Sequence, residues 1–90
     1  MFTTTRLRIL RRRHNITLKE LQQHCGLSLQ YINRLELGLS GQTLYNEQTL
    51  ERAFNALIAT RRAALQELEC EYAVYKGNLL RPLEVETDEL

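Results

Sequence analysis

An all-α fold is what this sequence predicts, and three observations carry that expectation. One proline and four glycines in ninety residues leave little room for loop. Apolar residues recur at intervals of three and four, the helical period, with no sustained alternation of the strand kind. Hydroxyl or amide side chains suited to capping stand just before each periodic run. Composition agrees, since 43% hydrophobic and 26% charged residues match an ordinary globular domain and exclude disordered or collagenous chains. A single small domain with an appended arm fits this length.

In chain order, Thr3, Thr4 and Thr5 offer caps to a first helix from Arg6 to His14, with Leu7 and Leu10 facing inward. Asn15 suits a left-handed stop. Thr17 opens the second helix, and Glu20 completes a Thr-x-x-Glu capping box. Leu18, Leu21 and Cys25 form its apolar stripe, and Gly26 ends it. Ser28 caps a third helix from Leu29 to Leu37, buried through Ile32 and Leu35 and closed by Gly38. Leu39 to Tyr45 forms the main loop, and Asn46 is the expected cap of the next helix.

No residue from Asn46 to Lys76 breaks a helix. The stretch reads as one continuous helix or as two with a bend near Thr60, and the bend gives a five-helix total. Gly77 and Asn78 end it. Leu79 to Val85 contains Pro82 and suits a short extended arm, which leads into an acidic tail to Leu90. The expected division is residues 1–58 as the main domain, 59–78 as a helical extension for dimerisation, and 79–90 as arm and tail.

Thr17 to Gly38 carries the functional signal. Two short helices meet at Cys25-Gly26-Leu27-Ser28, which makes a helix-turn-helix. Leu21 and Cys25 dock on the third helix, Leu27 plugs the corner, and Ile32 and Leu35 anchor that helix from beneath. This phase leaves Leu29, Gln30, Tyr31, Asn33 and Arg34 outward, on a helix able to enter a major groove. Charge is distributed to match. Residues up to Gly38 hold seven basic and two acidic side chains, while those from Leu39 hold five and nine, so the net +1 conceals halves of opposite sign. Ten of the twelve basic residues are arginine, whose planar fork suits phosphate and guanine.

The ordered set Leu7-x-x-Leu10-Arg11, Ile16-Thr17, Leu21, Gly26-Leu27-Ser28, Ile32-x-Arg34-Leu35-Glu36-x-Gly38 and Leu50-x-x-Ala53-Phe54-x-x-Leu57 resembles the lambda-repressor-like (Cro/C1-type, Xre) helix-turn-helix regulators of phage and bacteria. The resemblance implies base contacts from Leu29, Gln30 and Arg34. Gln30 would favour adenine, Arg34 guanine, and Leu29 a thymine methyl. It places Ser28 and Asn33 near phosphates, with Tyr31 suited to either role. Arg11 and Glu36 stand where the family shows an architectural ion pair. Arg6, Arg8, Arg12 and Arg13, with Lys19, would add attraction to the DNA backbone. Leu18 and Leu37 depart from the family pattern at positions that are often polar and near phosphate, and the loop from Leu39 is longer than usual.

Other chemistry is not expected. His24 and Cys25 are adjacent on a helix and point about 100° apart, so they cannot readily share an ion. His14 and Cys70 add no ligand spacing, and no metal or cofactor is expected. No cysteine or serine has a histidine and carboxylate in a recognised arrangement, so an enzyme is not expected either. Two cysteines suit a reduced compartment. No apolar run approaches the ~18 residues of a membrane span, and no signal-peptide stretch lies behind Met1. The expected location is cytoplasmic and nucleoid-associated.

Phe54, Leu57, Ile58, Leu65, Leu68, Tyr72 and Tyr75 make a stripe longer than the preceding domain can cover, which predicts a homodimer through this helical region. The functional expectation is therefore a sequence-specific, double-stranded DNA-binding regulator, a dimeric repressor on a palindromic operator. The rival is a protein-interaction adaptor that has kept the fold, lost DNA binding, and docks a partner through its C-terminal helix or tail.

Overall fold

Every helix begins on a hydroxyl. The computed structural model describes residues 4–83, and among them lie α1 (Arg6–Arg13), α2 (Leu18–Cys25), α3 (Leu29–Glu36) and α4 (Leu44–Tyr75). The side chains of Thr5, Thr17, Ser28 and Thr43 accept the amides of Arg8, Glu20, Tyr31 and Asn46 at 3.4, 3.0, 3.1 and 3.2 Å. Each bond satisfies one amide that the first helical turn leaves without an intrahelical partner. The stops are equally local. Asn15 takes φ 54° after α1, and Gly26 takes φ 72° after α2, conformations that asparagine tolerates and glycine adopts freely.

Two expectations about helix ends and number are corrected by the structure. The cap of the last helix is Thr43 and not Asn46, because the Asn46 amide turns inward instead. Its Nδ2 donates to the Gly41 carbonyl and the Tyr31 hydroxyl, each at 2.8 Å, and the residue is 7% exposed. Among the described residues the helices number four and not the expected five. No bend forms near Thr60, whose hydroxyl donates to the Ala56 carbonyl at 3.0 Å within an unbroken helix. With neither glycine nor proline from Leu44 to Tyr75, nothing interrupts the ladder, and 32 residues at about 1.5 Å each run straight past the domain.

The core is small and sits around α2. Ile16, Leu21, Ile32, Ala53 and Leu57 are buried, and Leu7, Leu18, Cys25, Leu27, Leu50 and Phe54 pack about them. Full burial of a leucine or isoleucine stabilises the fold by about 1.5–3 kcal/mol, so Leu21, Ile32 and Leu57 are its main apolar anchors. α4 packs along α2, α3 packs on α2, and α1 packs on α3. α1 and α4 stand apart, and no Cα of one comes within 8 Å of a Cα of the other. An open groove of about 1010 Å³ separates them, walled by Leu7, Ile9 and Leu10 on one side and Leu50, Phe54 and Ile58 on the other. Leu10, expected inside, is consequently 44% exposed.

Past α4 the chain turns at Gly77, and the Arg81 amide donates to the Asn78 carbonyl at 3.1 Å. The expected acidic tail lies outside the described residues. No described helix is long and apolar enough to cross a membrane.

Candidate nucleic-acid interface

A cap, a turn and buried side chains together position α3. Ser28 caps it, Ile32 and Leu35 are buried beneath it, and Gly26 turns the chain so that α3 crosses α2. Helical phase does the rest. With positions 32, 35 and 36 buried, positions 29, 30, 33 and 34 must face away. Leu29, Gln30, Asn33 and Arg34 are all exposed and form one continuous outward surface that runs from the first turn of the helix into its last.

Arg34 is held in place within that surface, for its Nε donates to the Ser40 hydroxyl at 3.3 Å. This bond leaves the two Nη groups for other acceptors. Tyr31 is half-buried and braces the loop through its hydroxyl, which accepts from Asn46. Its role in the free protein is therefore support of the 37–43 loop, although the hydroxyl proton stays available to donate. Gly41 completes that support. It has φ 81°, and a Cβ there would lie 2.6 Å from Leu35 Cδ2 and 2.9 Å from the Tyr31 hydroxyl. Gln42 Nε2 also donates to the Leu35 carbonyl at 3.1 Å. The loop that carries Ser40 is thus fastened to the base of α3 at several points.

Behind α3 lies a charge cluster. Glu36 is wholly buried, and its carboxylate accepts from Arg11 Nε and, at 3.2 Å, from Arg11 Nη2. Arg11 Nη1 donates to the Ile16 carbonyl at 2.9 Å, so one guanidinium ties α1, α3 and the α1–α2 turn together. Arg8 adds a second positive charge 4.0 Å from the same carboxylate, which directs it inward instead of toward a DNA backbone. Thr5 donates to the Glu36 carbonyl at 2.7 Å. A buried carboxylate is tolerated only with such pairing.

The remaining basic residues are dispersed. Arg12 and Lys19 are exposed, the latter in the first turn of α2. Arg13, also exposed, stands at the edge of the α1–α4 groove. Ser28 is exposed, with its oxygen already engaged as a cap. Leu18, which departs from the pattern the resemblance implies, is half-buried against the core.

The expected dimer residues divide into three groups. Leu57 is 2% exposed in the single chain, so its assignment to an interface is corrected: α2 already covers it. Phe54 is half-buried at the groove wall. Ile58, Leu65, Leu68, Tyr72 and Tyr75 are exposed.

Arg61 was missed as a functional element in the sequence. It lies one turn beyond Leu57 and reaches α2, where Nε and Nη2 donate to the Glu20 carboxylate at 3.1 and 2.9 Å. Nη1 donates to the His14 carbonyl at 2.8 Å. The available signal was a charge at the next position of the buried face.

The family model described as Helix-turn-helix matches residues 7–57. The chain belongs to the lambda-repressor-like, Cro/C1-type helix-turn-helix family. Neither the curated proteins nor the solved structures compared with it include a match. Within this DNA-binding family the matched span runs from Leu7 to Leu57, so it takes in the Arg11–Glu36 cluster, all of α3 and the buried part of α4. The exposed half of α4 lies outside it. As a helix-turn-helix regulator the chain presents its second motif helix, α3, with a polar outer surface and an apolar underside.

Proposed function

We propose that this protein is a sequence-specific, double-stranded DNA-binding transcriptional regulator, acting as a dimeric repressor that occludes a palindromic operator. The observation that carries this reading is the outward row Leu29, Gln30, Asn33 and Arg34 on α3. Gln30 presents an amide that pairs bidentately with adenine, and Arg34 a fork that pairs with guanine. Arg12, Lys19 and the amino-terminal amides of α2 and α3 supply attraction to phosphates, which sets register without reading sequence. A dimer is supported by Leu65, Leu68, Tyr72 and Tyr75, which the described residues leave uncovered. Two-fold symmetry then presents two α3 helices to two half-sites.

Three of the four side chains in this row, Gln30, Asn33 and Arg34, are hydrogen-bonding groups suited to base edges and phosphates, which favours DNA over the adaptor reading. The test is a titration against random and selected duplexes over a range of salt. Affinity for both falls as salt rises, since phosphate contacts release counterions, and the selected duplex binds more tightly throughout. Binding that ignores salt, or that fails to distinguish the duplexes, contradicts this function.

A further inference from the structure

The groove between α1 and α4 and the bare outer half of α4 are two unpartnered apolar surfaces on one molecule, and they match. We infer that the groove is filled by the outer half of α4 from a second copy of this chain, the two α4 helices running antiparallel. This rests on the proposed dimer and specifies its geometry.

Along α4 the positions 54, 58, 61, 65, 68, 72 and 75 keep the 3–4 spacing of a helix–helix seam, and all but Arg61 are apolar. Arg61 does not spoil the seam, because its guanidinium is drawn onto Glu20 and the His14 carbonyl of its own chain. Its aliphatic stem remains to be covered. An antiparallel arrangement with the two-fold axis at Ala63 sets Phe54 against the partner helix at position 72, Ile58 against position 68, and Arg61 against position 65. In that register Leu68 meets Ile58, Tyr72 meets Phe54, Leu65 meets the aliphatic stem of Arg61, and Tyr75 lies opposite Glu51. Leu68, 62% exposed, comes to lie over Ile58 and against Leu10, two residues that form the groove walls.

Charge selects the same occupant. Of the five arginines of α1, Arg8 and Arg11 are turned onto Glu36, and Arg6 and Arg13 edge the α1 side of the groove, with Glu47 and Glu51 on its α4 side. The outer half of α4 carries Glu67 and Glu71 one turn apart on one flank of the seam, and the antiparallel register brings them alongside positions 59 and 55, next to α1, while Glu69 lies on the other flank. A second groove segment of about 400 Å³ continues the first past His14 toward Leu65, so the channel lies along the path that the incoming helix needs.

The full-length protein tests this by light scattering and mild oxidation. Wild type has the mass of a dimer, and Leu10→Glu, which alters α1 and leaves the α4 seam intact, has the mass of a monomer with unchanged helical circular dichroism. In a Cys70→Ser background, Ala64→Cys next to the two-fold axis cross-links into a covalent dimer. Tyr75→Cys does not, because antiparallel helices hold those two positions about 36 Å apart. Cross-linking through Tyr75→Cys, or a Leu10→Glu protein that stays dimeric, overturns the groove assignment while leaving a dimer in place. A monomeric wild type, as when the chain's own arm covers the groove, overturns both this and the dimer reading.

Discussion

Arg61 on α4 grips Glu20 on α2 across 41 residues of sequence, its Nη2 lying 2.9 Å from one carboxylate oxygen and its Nε 3.1 Å from the other. The bond fixes the angle at which α4 leaves the domain, because the same guanidinium also holds the His14 carbonyl. Beyond Arg61, α4 has no further support within the described chain, and every described residue from Ile58 onward is exposed.

This pair makes stability depend on acid. The Arg61 hydrogen bonds hold the Glu20 carboxyl below its ordinary value of 4.5, against an opposing push from desolvation, with the Arg61 charge and the Thr17 amide assisting. A depressed carboxyl contributes stability that is complete above its unfolded value and is lost as pH falls through the folded one. Thermal melting is therefore expected to drop as pH is taken below about 4.5, and less steeply for Glu20→Gln. Salt should weaken the effect, since the pair is partly solvated. Parallel melting curves for wild type and Glu20→Gln across this range contradict the assignment.

Arg11→Met should cost about 3–5 kcal/mol, the usual penalty for stranding one member of a buried ion pair. Glu36 is wholly buried, and Arg8 at 4.0 Å is too distant to replace two direct hydrogen bonds. Urea denaturation measures this. A loss below about 1 kcal/mol, the worth of an exposed pair, means that water reaches Glu36.

Leu57 and Leu68 lie on the same helix with opposite fates. Leu57→Ala should lower stability by about 2–5 kcal/mol through a core cavity, with the oligomeric mass unchanged. Leu68→Glu should change the mass and leave the melting of the isolated domain nearly unaltered. Reversed outcomes in light scattering and denaturation place the domain core elsewhere.

At Gly41 the backbone and the neighbours agree. Gly41→Ala forces a left-handed residue with a Cβ, costing about 1–2 kcal/mol, and pushes on Leu35 and Tyr31. The loop bearing Ser40 shifts with them, so affinity for a selected duplex falls along with stability. Unchanged DNA affinity shows that the loop does not position Arg34.

Thr17, Gly26 and Ser28 were legible because capping and turn chemistry act within three or four residues. The outward set of α3 came from the same logic, since Ile32 and Leu35 fix the helical phase. Thr43 and Asn46 were not separable, as both are good caps three residues apart; the choice rests on the Tyr31 hydroxyl, 15 residues away. The straightness of α4 depends on what lies beyond Thr60, where no breaker acts and no tertiary contact compels a bend. Leu10 became exposed for that reason, a consequence no local pattern around Leu10 encodes. Arg61 broke an apolar stripe in the sequence, while its partner Glu20 looked fully employed in a capping box.

In vitro selection of duplexes by the wild type, Gln30→Ala and Arg34→Ala proteins tests the reading surface most directly. The wild type should enrich a palindrome, and each variant should lose about 1–3 kcal/mol of preference at one base pair per half-site, with its other positions kept. Identical enriched sequences from all three proteins would place recognition somewhere other than the outer surface of α3.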